Sequence, residues 1–177
     1  IAFLNVKVYA MAMYADPSAK GMDLGTGEFD KAMCLQLVRD VDAKTFMEAL
    51  NDGINPRLAR IATDAATASD AEGNFMAEVA EAAEKAEEMA QDQLEQMGDF
   101  FLGKENLTNG TQIMLSFPAG KGMQISTGST KSPAYEKAAE LELVSKELSD
   151  AILDVWLGDD PLVPEALESF KMGASKL

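Results

Sequence analysis

Lys7 and Tyr9 stand two residues apart in a stretch, residues 1–16, whose alternation reads as a β-strand. Phe3, Asn5, Lys7, Tyr9, Met11 and Met13 then share one face. On it the Cα atoms of Lys7 and Tyr9 are about 6.5–7 Å apart, and an ammonium and a phenol at that spacing can donate to one carboxylate. Phe3, Met11 and Met13 around them suit a cleft that is greasy along its length and polar at one point. The plainer alternative is a snorkelling lysine at a sheet margin beside a tyrosine that fills the core. The opposite face, Leu4, Val6, Val8, Ala10, Ala12 and Tyr14, is apolar and narrows to alanine, as expected where a helix packs close.

Three arginines are the other candidates. Arg39 falls in a stretch read as a strand over 33–41, on one face with Leu35, Leu37 and Val41. It would hold a ligand carboxylate there or pair with a neighbouring acid. Arg57 and Arg60 follow Pro56, placed to cap helix carbonyls or reach a ligand. Asp159 and Asp160 follow a helix end, where the dipole disfavours acids. A turn into Pro161 is favoured there over a cation site. Cys34 lies in an apolar stretch and reads as an inert buried thiol. Two sequons, at Asn106 and Asn109, matter only in a secreted chain.

The chain has no histidine, which removes the commonest general base, Ser-His triads and most transition-metal sites. Carboxylate spacings typical of a metal site are also missing, so no metal and no cofactor is expected. Thirty acidic against 15 basic residues give a net charge of −15. Nucleic acid and anionic membrane surfaces, which require clustered Lys or Arg, are poor partners for it. No apolar run approaches the roughly 20 residues of a membrane span.

The elements that must position these groups follow from periodicity. The length of 177 residues fits one domain. After the first strand comes a Gly- and Asp-rich loop, 16–30, then the strand over 33–41. Asp42 reads as the N-cap of a helix carrying Phe46, Met47, Leu50 and Ile54, bent or ended at Pro56. Residues 63–73 read as a connection. A long helix over about 74–97 places Met76, Val79, Ala83, Ala86, Ala90, Leu94 and Met97 on an inner stripe, expected to lie close on a sheet. Its outer face carries Glu78, Glu81, Glu84, Glu88, Asp92 and Glu95. Residues 111–127 are a hairpin around Pro118–Gly122. Ser132-Pro133 is expected to open a helix with the stripe Leu141, Val144, Leu148, Ile152 and Val155, ended by Gly158. A last helix covers about 164–172. This order is α+β with a mainly antiparallel sheet.

Four stretches, taken in order and spacing, resemble the chalcone isomerase superfamily: VKVYAMAMY at 6–14, LVRDV at 37–41, GTQIML at 110–115 and LDVWLGDDP at 153–161. The segment Asn55-Pro56-Arg57-Leu58 resembles the non-catalytic, fatty-acid-binding branch more than the plant isomerases. The resemblance implies an open-faced β-sandwich, a large antiparallel sheet covered by a layer of helices, with an apolar cleft between them. It implies that a tyrosine matched by Tyr9 holds a ligand carboxylate. An arginine would share that role from an N-terminal segment expected before Ile1. The isomerases use a threonine where this chain has Tyr9. They also use a helical tyrosine and asparagine, and residues 57–97 contain no tyrosine. The function implied is therefore binding of a long-chain fatty acid or similar amphipathic carboxylate, without catalysis, in the plastid stroma. Ligand contacts are expected from Tyr9, Lys7, Met11 and Arg39. The alternatives are a ligand-free accessory subunit that binds a protein partner and, less in keeping with the residues, an isomerase.

Overall fold

The structure, a computed structural model, describes residues 8–67, 77–104 and 106–177. Its centre is a five-stranded antiparallel sheet in the order β1-β2-β5-β6-β7. The strands are β1 Tyr9–Ala15, β2 Lys31–Leu37, β5 Gln112–Phe117, β6 Met123–Gly128 and β7 Leu141–Leu143. One face is mostly apolar. Met33, Leu35, Leu37, Ile113, Leu115, Phe117, Met123, Ile125 and Leu143 are all buried on it. The helices α1 Ala43–Ala66, α2 Ala77–Leu102, α3 Lys146–Leu157 and α4 Pro164–Ala174 complete the core. They contribute Phe46, Ile54, Leu94, Phe101, Leu148, Ile152, Val155, Trp156 and Leu167. A short pair, β3 Val41–Asp42 with β4 Asn106–Leu107, brackets the helical hairpin of α1 and α2. No described helix is long and apolar enough to cross a membrane.

Asp42 caps α1 as expected, its carboxylate accepting from Thr45 N–H at 3.1 Å. Pro56 lies inside α1, which runs on to Ala66 instead of ending early. The inner stripe of α2 meets α1 and α3 more than the sheet. Ala83 and Ala86 face Leu58, Ile61, Ala62 and Ala65 of α1 across a gap of about 70 Å³. Small side chains here serve helix–helix approach, which corrects the expectation of sheet packing. Met76 lies outside the described residues.

The helix expected from Pro133 does not form. Ala134–Glu136 is a 3₁₀ turn, Leu141 belongs to β7 rather than a helical stripe, and α3 starts at its true N-cap Ser145, which accepts from Leu148 N–H. The turn lies across the outer sheet face, where Ala134 buries against Cys34 and Met114. Two side chains claim its backbone: Gln112 accepts from Ala134 N–H, and Ser126 donates to Ala134 C=O. Gly128 makes the approach possible, since a Cβ there would lie 2.3 Å from Ala134 N. Cys34 is buried, and burial pushes its thiol pKa up, in keeping with an unreactive group.

The face of β1 expected to lie under a helix is instead the exposed one, and the expected cleft face is the one the helices cover. Ala10, Ala12 and Tyr14 are exposed, whereas Tyr9, Met11 and Met13 turn towards the helices. The cause is the register with β2. Tyr9 opposes Leu37, Met11 opposes Leu35 and Met13 opposes Met33, and those β2 residues are the ones the helices cover. A strand offers its neighbour's face no choice of side.

Candidate functional site

Tyr9 opens β1 at the edge of the sheet, half-buried on the helix side. Trp156, on α3, is 1% exposed. A buried indole N–H needs an acceptor, and Trp156 Nε1 finds it in Tyr9 Oη at 3.1 Å. The phenol oxygen is therefore an acceptor in this bond, and its own hydrogen is left to donate. Among the described residues no group accepts it. Burial raises the phenol pKa above 10, with the Trp156 bond pulling weakly the other way. Tyr9 is thus a neutral donor at ordinary pH, fit to orient an acceptor oxygen and unfit to take up a proton.

Met11 and Met13 continue along the same face, half-buried at the margin of the core. The helix α4 lies against β1 and α3 and adds Phe170 and Ala174 to that margin. The result is an apolar strip, only partly covered, that begins at a hydrogen-bond donor. Lys7 lies outside the described residues. Arg39 is not on a strand: β2 ends at Leu37, and Arg39 is exposed in the bend that follows. The strand breaks there because Leu37 C=O accepts from Gly110 N–H and Asp40 accepts from Asn109 N–H, turning the chain towards β3. Arg39 nevertheless stays at the Tyr9 end of the sheet, next to Val38, whose N–H donates to Val8 C=O.

Arg57 and Arg60 form a second polar cluster, with Asp154 of α3 between them at 2.9 and 3.0 Å. Arg57 also donates to the carbonyls of Gly53 and Asp160. Arg57 thus reaches a carbonyl inside α1 rather than capping its end, and the Asp159–Asp160 turn is fastened to α1 through it. Arg60 lines a polar groove of about 380 Å³ with Asp23, Lys146, Asp150 and Asp159 over Ile61, Leu153 and Leu157. Tyr9, Met11 and Arg39 line neither this groove nor the small gap between α1 and α2.

Sequence reasoning missed two partners. Trp156 was legible as the one tryptophan, whose indole N–H would need an acceptor wherever it was buried. Lys31 was legible as a lysine in phase with Met33, Leu35 and Leu37. It is 7% exposed, donates to Leu24 and Gly25 carbonyls at 2.9 and 3.0 Å, and lies 4.5 Å above the Phe29 ring. Burial lowers its pKa and nearby Asp23 opposes that shift. It ties the 16–30 loop to the sheet.

No family model matches the chain. No curated protein matches it in sequence. Among solved structures it is similar to the crystal structure of a fatty-acid binding protein of Arabidopsis thaliana. The TM-score is 0.65 at 17% identity, covering 96% of this chain and 79% of that one. At that identity the likeness concerns the fold. The architecture is the chalcone isomerase-like one, an antiparallel sheet under a layer of helices, as the four sequence stretches implied.

Proposed function

We propose that the chain binds a long-chain fatty acid, or a similar amphipathic carboxylate, and does so without catalysis. The observation that carries this reading is the Trp156–Tyr9 hydrogen bond, which leaves the phenol hydrogen to donate at the head of a methionine-lined strip. The name of the Arabidopsis neighbour supports the ligand class.

In this mechanism Tyr9 donates to one carboxylate oxygen, and the acyl tail runs along Met11 and Met13 beside α4. Each methylene removed from water contributes about 0.8 kcal/mol. Methionine side chains adapt to a flexible tail better than branched ones. A buried carboxylate without partners costs several kcal/mol, so cationic donors belong at the head group. Lys7 is assigned that role on its place in the sequence, and Arg39 a looser one from the exposed bend at the same end. Nothing in the set supplies a general base, since Tyr9 holds its proton. A plastid setting is part of this reading and rests on the resemblance to a plant protein.

Trp156 is the sole tryptophan, so its emission reports directly on the head-group end. Titration with a saturated long-chain fatty acid should change that emission saturably, with one molecule retained per chain in native mass spectrometry. An unchanged emission together with no retained lipid would sink the proposal.

A further inference from the structure

Among the described residues no strand pairs with the outer edge of β1, and we propose that two copies of this chain pair there, antiparallel and centred on Ala12, to continue the sheet. The inference comes from backbone register and is independent of the ligand reading.

Asp16 N–H donates to Asp30 C=O and Val38 N–H donates to Val8 C=O at the two ends of the β1–β2 ladder. In an antiparallel pair, residues bonded to the neighbour alternate with residues that point the other way. Ala10, Ala12 and Tyr14 therefore exchange bonds with β2. Tyr9, Met11, Met13 and Ala15 direct N–H and C=O groups at the open edge. Among the described residues no backbone hydrogen bond reaches those four from another segment. Proteins usually blunt such an edge with charge, proline or a bulge. The other edge of this sheet is blunted in that way: β7 has three residues, with Glu142 in it and Glu140 beside it. Strand β1 is longer, YAMAMYA, and has no charge, proline or glycine.

The order of those residues selects the occupant. Antiparallel self-pairing about Ala12 sets Tyr9 opposite the partner's Ala15 and Met11 opposite the partner's Met13. All four outward residues of each copy then meet outward residues, so the hydrogen-bond phase fits. On the exposed face Tyr14, 53% exposed, meets the partner's Ala10, and Ala12 meets itself. Large side chains meet small ones at both ends. Net charge opposes the pairing, so the contact must fall where charged side chains are absent. Two chains of −15 repel each other, and this strand lets them touch without bringing carboxylates together. The contact is isologous, with a two-fold axis at Ala12.

Ala12 and its symmetry mate form a non-hydrogen-bonded pair, with Cα atoms about 4.5 Å apart, within disulfide reach. The test uses Ala12→Cys in a Cys34→Ser background, because Cys34 lies opposite Ala12 within each copy. Mild oxidation should give a covalent dimer. Tyr14→Cys in the same background should give none, its mates being about 14 Å apart in this register. Sedimentation of the native chain should show a dimer that tightens as salt screens the repulsion. Ala12→Lys lowers the net negative charge yet puts two ammonium groups face to face, so it should weaken the dimer at least tenfold while the monomer stays folded by circular dichroism. A chain that sediments as a monomer at high concentration and high salt overturns the proposal. So does a dimer indifferent to Ala12→Lys, or equal cross-linking at positions 12 and 14. A dimer that takes up no lipid would sink the fatty-acid reading alone, and a monomer that binds lipid would sink this one alone.

Discussion

Tyr9 and Glu140 are polar groups near opposite edges of one sheet, and they are built into it differently. Glu140 accepts from the N–H and the hydroxyl of Thr127, both at 2.7 Å, and from the ammonium of Lys104 at the end of α2. Burial pushes its carboxyl pKa up, but the Lys104 and Thr127 bonds outweigh that and bring it to about 2. Tyr9 makes one described side-chain bond, to Trp156. The larger pKa shift marks the fastener, whose carboxylate already accepts from three protein donors. The group with capacity left over is the one suited to a ligand. On the proposed reading an unused donor, rather than the larger pKa shift, marks the ligand group, although the two often coincide.

Breaking the Tyr9 side of this comparison should cost most. Trp156→Ala removes a fully buried ring from between α3 and β1 and should cost about 3–5 kcal/mol of stability, read as a lower denaturant midpoint. Tyr9→Phe keeps the volume but leaves the indole N–H without its acceptor, a cost of about 1–3 kcal/mol. The same change should weaken fatty-acid binding about tenfold, the loss of one hydrogen bond of about 1.4 kcal/mol. Equal affinity in Tyr9→Phe would mean that the phenol serves only the core, a fastener like Glu140 with Lys104.

Glu140→Gln should be milder, up to about 1 kcal/mol, because the ion pair is partly exposed. Its signature is the pH dependence. The folded pKa of about 2 lies below the ordinary 4.5, so the stability it contributes is present above 4.5 and is lost as pH falls towards 2. Denaturant midpoints across that window should fall less steeply in Glu140→Gln than in the parent, and Tyr9→Phe should leave that slope unchanged. The smallest effect belongs to Arg39→Ala. An exposed bend residue should change stability by less than about 0.5 kcal/mol. Its influence on ligand affinity should be slight and should vanish at high salt.

Much of the fold was legible because period and caps are local. Asp42, Pro164 and Gly158 mark their helix ends as the sequence reading placed them. The hairpin of β5 and β6 followed from alternation and its Pro-Ala-Gly turn. What failed depended on partners distant in the chain. The exposed side of β1 was set by β2, and the loss of a helix at Pro133 by Gln112 and Ser126. Tyr9 was legible as a candidate by residue type and resemblance. Its hydrogen-bond state was not, since that depends on Trp156, 147 residues away.

The strands β2 and β5 are neighbours in the sheet, yet the chain between Leu37 and Gln112 runs through both α1 and α2. For folding kinetics the helical pair is one long loop thrown between adjacent strands. Its hairpin can form from nearby contacts, whereas the β2–β5 seam needs distant segments to meet, the kind of non-local pairing that slows folding. Loop-closure entropy grows only logarithmically, each doubling of length costing about 0.6 kcal/mol. Added length in this pair therefore costs little closure entropy, so long as the side chains of α1 and α2 that fill the core stay in place.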